Sequence, residues 1–314
     1  MDILTTKVLL PRRPATLLRR QRLLDFLLGQ ADKRLLLLSA PAGYGKTTLL
    51  VDFASTAAAP VAWFSADEDD RDLRSFAEYL LAAIRQPFPT AGQMSHGLLQ
   101  TNRGNPDPAI LAERLAADLS ALPDALNIVV DDYHLVDESP LVGRFVATLL
   151  QRLPPGVRLI LVGRTIPSLT PETLSLLAAQ GDIAGLGMDE LRFTTDEVRE
   201  LFETCFNLHL PEAEIERLAR ETEGWIAGIR LTTHTIWQGL LREMVANRGK
   251  ENLYTYLANQ VLDQQTPAVQ DFLLGTCILQ EMEADLCNRL LKRDDSTEIL
   301  RVLENRSLFV MRLD

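Results

Sequence analysis

The run Leu35-Leu36-Leu37-Leu38-Ser39 passes directly into Ala40-Pro41-Ala42-Gly43-Tyr44-Gly45-Lys46-Thr47-Thr48, and this junction restricts the fold of the 314-residue chain more than any other stretch. A short apolar segment ending in a glycine-rich turn reads as a strand buried on both faces. A turn carrying Gly-x-Gly-Lys-Thr and opening a helix is the setting of a phosphate-binding P-loop. Glycines at 43 and 45 let successive N–H groups, from Ala42 to Thr48, point inward at phosphate oxygens. They add to the partial positive charge of the helix N-terminus. Lys46 is expected to reach the β- and γ-phosphates and the Thr47 hydroxyl to ligate Mg²⁺. Ala40 stands where the motif usually has its first glycine, so the match lies in the Gly43 to Thr47 half. The competing reading is a chance match in a surface turn, against which the preceding apolar strand and an acidic partner downstream both weigh.

That partner is Ile128-Val129-Val130-Asp131-Asp132, an apolar strand ending in two carboxylates. Asp131 is expected to hold Mg²⁺ directly or through water, and Asp132 to orient or deprotonate an attacking water. The alternative is that the pair caps the turn at Tyr133 and His134. Arg164 closes another apolar run, Arg158 to Val162, and strand ends of a parallel sheet converge on one edge. It is expected either to sense the γ-phosphate or to be a solvated strand-end arginine. Arg19, Arg20 and Arg22 of the basic leader read equally as a solvated cluster or as nucleotide contacts, with Arg20 taken as the contact. Asp67-Glu68-Asp69-Asp70 reads as a cap of the following helix, with water activation as the second possibility.

Apolar runs at Val61-Ala62-Trp63-Phe64, Asn127 to Asp131 and Arg158 to Val162 alternate with helical patterns such as Leu73, Phe76, Leu80, Leu81 and Ile84. That alternation predicts an α/β domain with a parallel sheet over 1–193. Gln86 to Pro108, rich in proline and glycine, reads as a long loop or loose insertion. After Phe193 strand-like runs vanish. Thr194 and Glu197 form a capping box for a helix Asp196 to Cys205, and a small helical domain is expected over 194–247. Two glycines break this zone at Gly224-Trp225-Ile226-Ala227-Gly228, where Trp225 by default packs in a core. Over 248–314, helices at Leu253 to Leu262, Ala268 to Thr276, Leu286 to Lys292 and Ser296 to Asn305 precede a strand-like Leu308 to Met311. This is the order of a winged-helix-like domain whose last strand lacks a partner, implying that the domain continues beyond Asp314.

The chain carries 32 Lys and Arg against 43 Asp and Glu, a net charge of −11 that argues against a DNA-binding surface in this segment. The winged-helix stretch from Arg248 has eight basic and eleven acidic residues, so it reads as a regulatory clamp rather than a DNA reader. No basic, apolar leader and no apolar run of membrane-spanning length is present, which predicts a cytoplasmic protein without a membrane partner. Cys205, Cys277 and Cys287 lack zinc-type spacing and read as reduced packing residues.

Together, Ala40 to Thr48, Val130-Asp131-Asp132-Tyr133-His134-Leu135, Leu191-Arg192-Phe193-Thr194, Thr222-Glu223-Gly224-Trp225, Val269 to Leu274 and Asn305 to Phe309 resemble the STAND signal-transduction ATPases, most closely the MalT-like large ATP-binding (LuxR-type) transcriptional regulators. The resemblance implies a P-loop domain, a helical domain and a winged-helix domain that clamps ADP at rest. It further implies that an inducer, sensed by a C-terminal repeat region, permits exchange for ATP and self-association. DNA binding would then follow through a terminal helix-turn-helix outside this chain. The family's proline after Gly-Trp, which packs on adenine, is Ile226 here, so the base contact is carried over to Trp225 and Ile226 with that departure. The family's winged-helix histidine would lie beyond Asp314.

The expected function is therefore an ATP- or ADP-binding switch with slow hydrolysis, the sensor core of a transcriptional regulator. A STAND signalling or defence scaffold with a non-DNA effector and a P-loop small-molecule kinase are the alternatives.

Overall fold

The computed structural model describes residues 4–13, 17–101, 104–205, 208–226, 229, 266–279 and 282–305. They divide into two compact units, Met1–Gly224 and Trp225–Asp314.

The first unit is built on five parallel strands, β1 (Leu35–Ser39), β2 (Val61–Ser65), β3 (Leu126–Asp131), β4 (Val157–Gly163) and β5 (Ile183–Leu186), in the order β2-β3-β4-β1-β5. Every residue of β3 and β4 is buried, which is why Ile128 to Val130 and Leu159 to Val162 appear in the sequence as apolar runs. The register aligns Ser39 with Gly163 and Ser65 with Asp131, so the C-terminal ends of β1 to β4 form one edge. Because β4 lies between β1 and β3, the residue after it, Arg164, issues between the glycine-rich loop and Asp131.

The helices of this unit begin with α1 (Thr5–Val8) and α2 (Gln21–Gly29), which belong to the leader. The loop opens α3 (Lys46–Thr56). Helix α4 (Leu73–Arg85) buries Leu73, Phe76, Leu80, Leu81 and Ile84, as its periodicity predicts, and Phe76 meets Phe64 of β2 edge-on at 5.4 Å between ring centroids. Asp72 rather than the preceding acidic run caps α4, accepting from Ser75 N–H at 3.0 Å. Asp67 and Asp70 instead form a capping box on the 3-10 turn Glu68–Arg71 and hold Lys7 at 2.6 and 2.9 Å.

The stretch 86–108 departs from its reading as a loop, because it contains the helix α5 (Gln93–Thr101). Its start is held by Asp118 of α6 (Pro108–Ser120), which accepts from Met94 N–H at 3.0 Å, Ser95 N–H at 2.8 Å and the Ser95 hydroxyl at 2.7 Å. Beyond β3, α7 (Pro140–Arg152), α8 (Pro171–Gln180) and α9 (Met188–Leu191) complete the helices that precede Thr194.

The Thr194–Glu197 capping box forms as read, opening α10 (Thr195–Glu200), which passes into a π-helical turn, Leu201–Cys205. Helix α11 (Glu212–Glu221) follows. Both helices belong to the first unit, whose boundary at Gly224 lies beyond the sequence-based division at Phe193.

In the second unit, helices Pro267–Thr276, Ala284–Leu291 and Ser296–Asn305 surround a small core of Val269, Phe272, Cys287, Ile299 and Leu303. The expected helix Leu253 to Leu262 and strand Leu308 to Met311 lie outside the described residues. Among the described residues no helix is long and apolar enough to cross a membrane.

Candidate functional site

The loop between β1 and α3 turns through left-handed backbone at Gly43 (φ 83°) and Gly45 (φ 78°). Side chains bearing a Cβ rarely adopt these angles, which explains the glycines. Ala40 is buried, and its backbone is not left-handed, so a methyl group is tolerated where the motif usually has glycine. Gly45 occupies the N-cap of α3 without a side-chain cap, leaving the first N–H groups of the helix directed at the loop's concavity. Such a concave run of N–H groups is suited to an anion.

Lys46 folds back on this loop and donates to the carbonyls of Ala40 at 2.5 Å and Pro41 at 2.9 Å. Burial lowers its pKa to about 8; Asp131 and Asp132 oppose the shift, and Arg164 adds to it. Thr47 donates its hydroxyl to Asp131 Oδ2 at 2.8 Å, and the backbone N–H of Asp132 donates to Asp131 Oδ1 at 3.0 Å. Burial and the neighbouring charge of Asp132 push Asp131 up to about 6, against the pull of these two hydrogen bonds and of Lys46.

Asp132 takes a left-handed conformation, φ 55° and ψ 32°, at the N-cap of the 3-10 turn Tyr133–Leu135. Its side chain makes no cap hydrogen bond there and is 54% exposed. A carboxylate held in strained backbone without capping is more consistent with a site role than with turn formation. Arg164 acts electrostatically on both Lys46 and His134.

The group therefore gathers Lys46, Thr47, Asp131, Asp132 and Arg164 at one sheet edge. Its donor set suits a hard cation that keeps most of its waters, with the Thr47 hydroxyl and the Asp131 carboxylate as the protein's share. Among the described residues no group of three or more His, Cys, Asp or Glu side chains gathers as a metal site of its own.

Arg20, expected as a nucleotide contact, is held inside the fold. It is buried and donates to Glu197 at 3.2 and 2.9 Å, to the Leu191 carbonyl at 2.9 Å and to the Arg192 carbonyl at 2.7 Å, while its guanidinium lies over the Phe193 ring at 4.1 Å. All three guanidinium nitrogens are thus committed to one segment. Arg22 joins the same clasp on Glu197 at 3.2 Å, and Arg19 meets Thr56 at 3.3 Å. Trp225 and Ile226 open the second unit and are half-buried.

In sequence, residues 258–314 match the MalT winged helix domain. The HTH-type transcriptional regulator MalT of Yersinia pestis (strain Pestoides F) is 31% identical over 318 residues, an alignment covering 99% of this chain and 34% of that protein. The MalT of Yersinia enterocolitica is 31% identical over 317 residues with the same coverage. The fold is similar to that of a signal transduction ATPase with numerous domains from Pyrococcus horikoshii that carries a tetratricopeptide repeat sensor. The TM-score is 0.51 at 14% identity, over 93% of this chain and 40% of that one. The chain is MalT-like in sequence over nearly its whole length. It spans about a third of the length of the MalT relatives it matches, 34% in each case.

The MalT-like chain also places residues near its loop that the motif alone does not single out. Tyr44 is buried between the two loop glycines, and burial raises its phenol pKa while the nearby charge of Arg192 pulls it down. Arg192 in turn pairs with Glu223 at 3.3 Å and, with Phe193, Thr194, Arg220 and Gly224, lines an open cleft. His134 is the other such residue. The signal for Arg192 and Glu223 was present in the MalT-like stretches Leu191 to Thr194 and Thr222 to Trp225, but their nearness to Tyr44 is a tertiary fact.

Proposed function

We propose that this chain is the ATP- or ADP-binding switch of a larger, cytoplasmic transcriptional regulator. The observation that carries the reading is the Thr47–Asp131 hydrogen bond of 2.8 Å beside a glycine-turned loop with Lys46 folded onto it. Without an anion, Lys46 is half-buried with its charge disfavoured, and without a cation Asp131 is buried with its own charge disfavoured. A bound polyphosphate and Mg²⁺ relieve both penalties at once, so the chain gains stability from the nucleotide it holds. That favours a resident ligand and slow exchange over rapid turnover.

In this reading the loop N–H groups and Lys46 hold the phosphates, and Thr47 with Asp131 holds Mg²⁺. Arg164 reaches the terminal phosphate, and Asp132 serves the side from which water attacks. The cation, when bound, supplies charge neutralisation at the phosphates. The nucleoside end extends toward the cleft at Arg192, reached from the loop through Tyr44. Because only a ligand that contacts two states unequally can shift their balance, the terminal phosphate and its partner Arg164 are the discriminating contact between ATP and ADP. Inducer sensing, self-association in the ATP state and DNA binding are assigned to the larger protein, the last through a region other than this acidic segment.

The test is to purify the chain without added nucleotide, denature it and identify what is released. Near-stoichiometric ADP from the parent and none from Lys46→Ala is the expected result. An empty, folded parent would count against a resident nucleotide.

A further inference from the structure

His134 lies in the turn that follows β3, and its side chain is 12% exposed. Neither ring nitrogen has a hydrogen-bond partner, and both are sealed from solvent. A neutral imidazole carries one N–H donor and one lone pair, and leaving both unmade inside a protein is costly. Such a group gains from any rearrangement that supplies partners.

The charged groups facing it are Asp132, whose Oδ1 is 3.9 Å from Nδ1, together with Arg164 and Lys46. They belong to the turn itself, the end of β4 and the glycine-rich loop. Burial, Arg164 and Lys46 hold the ring toward its neutral form against the opposing pull of Asp132. The carboxylate also selects the tautomer, since an ionised carboxylate only accepts and therefore favours the form with its proton on Nδ1. Nε2 is then a lone pair. It cannot donate to a phosphate oxygen, but it can accept from a water molecule.

Resting on the nucleotide-switch reading, we propose that His134 orients the water that attacks the terminal phosphate of ATP, with Asp132 as the positioning residue behind it. The water oxygen forms the bond to the terminal phosphorus. The bond from that phosphorus to the bridging oxygen breaks, and its electron pair stays on ADP. One water proton remains on the inorganic phosphate and the other passes to Nε2, giving an imidazolium beside Asp132 that releases it to solvent once the phosphate has left. Asp132 thus acts through the imidazole, and its strained backbone keeps the carboxylate beside Nδ1.

Substitution by Gln and by Asn separates the two nitrogens, because a Gln amide reaches the position of Nε2 and an Asn amide only that of Nδ1. Kd for ATP and for ADP, single-turnover phosphate release and thermal melting are measured on the parent, His134→Gln and His134→Asn. The expected result is ATP affinity within about twofold of the parent for both, with phosphate release slowed ~100-fold in His134→Asn and substantially recovered in His134→Gln. Equal rates in all three proteins, recovery by Asn rather than Gln, or a loss of ATP affinity matching the loss of rate would overturn the proposal. A parent that binds ATP but releases no phosphate overturns this inference alone. A folded parent that binds no ATP overturns the switch reading and this inference with it.

Discussion

Thr47 and Asp131, 84 residues apart in sequence, are joined by a hydrogen bond of 2.8 Å from the Thr47 hydroxyl to Asp131 Oδ2. The bond links the first turn of α3 to the end of β3, although β4 separates β3 from β1 in the sheet. It occupies the place a cation takes between a hydroxyl and a carboxylate, and although it pulls Asp131 down, burial and Asp132 still push that carboxyl up to about 6.

Neutralising that carboxylate stabilises the ligand-free chain. The folded pKa of about 6 lies above the ordinary 3.8, so the cost of the buried charge is fully present above pH 6. It fades as pH falls toward 3.8 and the folded state takes up its proton. Asp131→Asn is therefore expected to raise thermal stability at pH 7.5 by on the order of 2 kcal/mol, with the gain shrinking between pH 6 and pH 4. Melting curves across pH check this, and a destabilised variant at pH 7.5 would contradict it.

Lys46 gives a second pH dependence, of opposite origin. Its pKa in the free chain is about 8, below the ordinary 10.5, and a bound phosphate raises it again. Between those values the complex holds a proton that the free chain has lost, so binding takes up a proton and affinity falls as pH rises. Above pH 8, Kd for ADP is expected to grow by up to about tenfold per pH unit. Isothermal titration in buffers of different ionisation enthalpy checks both the slope and the proton uptake.

How much of this was legible in the sequence depended on where the constraint lay. Strands β1 to β4 announce themselves because both faces are buried, and the loop because its chemistry is local. Strand β5 was missed because Ile183-Ala184-Gly185-Leu186 is short and contains a glycine. That glycine is needed because a Cβ at 185 would stand 2.8 Å from the Leu37 carbonyl oxygen of the neighbouring strand, a closeness visible only once β5 pairs with β1. Helix α5 escaped notice between prolines and glycines because its N-terminal cap, Asp118, comes from another helix. Arg20 looked like one of several leader arginines, since its partner Glu197 is 177 residues away.

The Arg20 clasp predicts a stability effect without a binding effect. Arg20 and Glu197 are both buried, and the arginine holds the carboxylate low against its burial. Removing Arg20 leaves the buried Glu197 with only the more exposed Arg22 and the Thr194 N–H, so Arg20→Ala is expected to cost about 3 kcal/mol. Below its melting transition the variant should bind ADP as the parent does. Chemical denaturation and titration on the same preparation distinguish this from a nucleotide contact, which would weaken binding in the folded protein.

Two glycines should respond oppositely to alanine. Gly224 has φ 69°, and a Cβ there would meet the Phe193 carbonyl oxygen at 2.5 Å and the Phe193 nitrogen at 2.7 Å, so Gly224→Ala is expected to destabilise by about 3 kcal/mol. Gly143 lies inside α7, where an added methyl group would have nothing within 4 Å, and Gly143→Ala is expected to stabilise by about 0.5–1 kcal/mol. Paired melting experiments read both signs.

The most direct test of the account is calorimetric titration of ADP and ATP, with and without Mg²⁺, into the chain freed of nucleotide. One site per chain is predicted, with binding weakened at least ~100-fold by Lys46→Ala and the Mg²⁺-dependent part removed by Thr47→Ala. A folded parent that gives no heat and no competition with either nucleotide would contradict it.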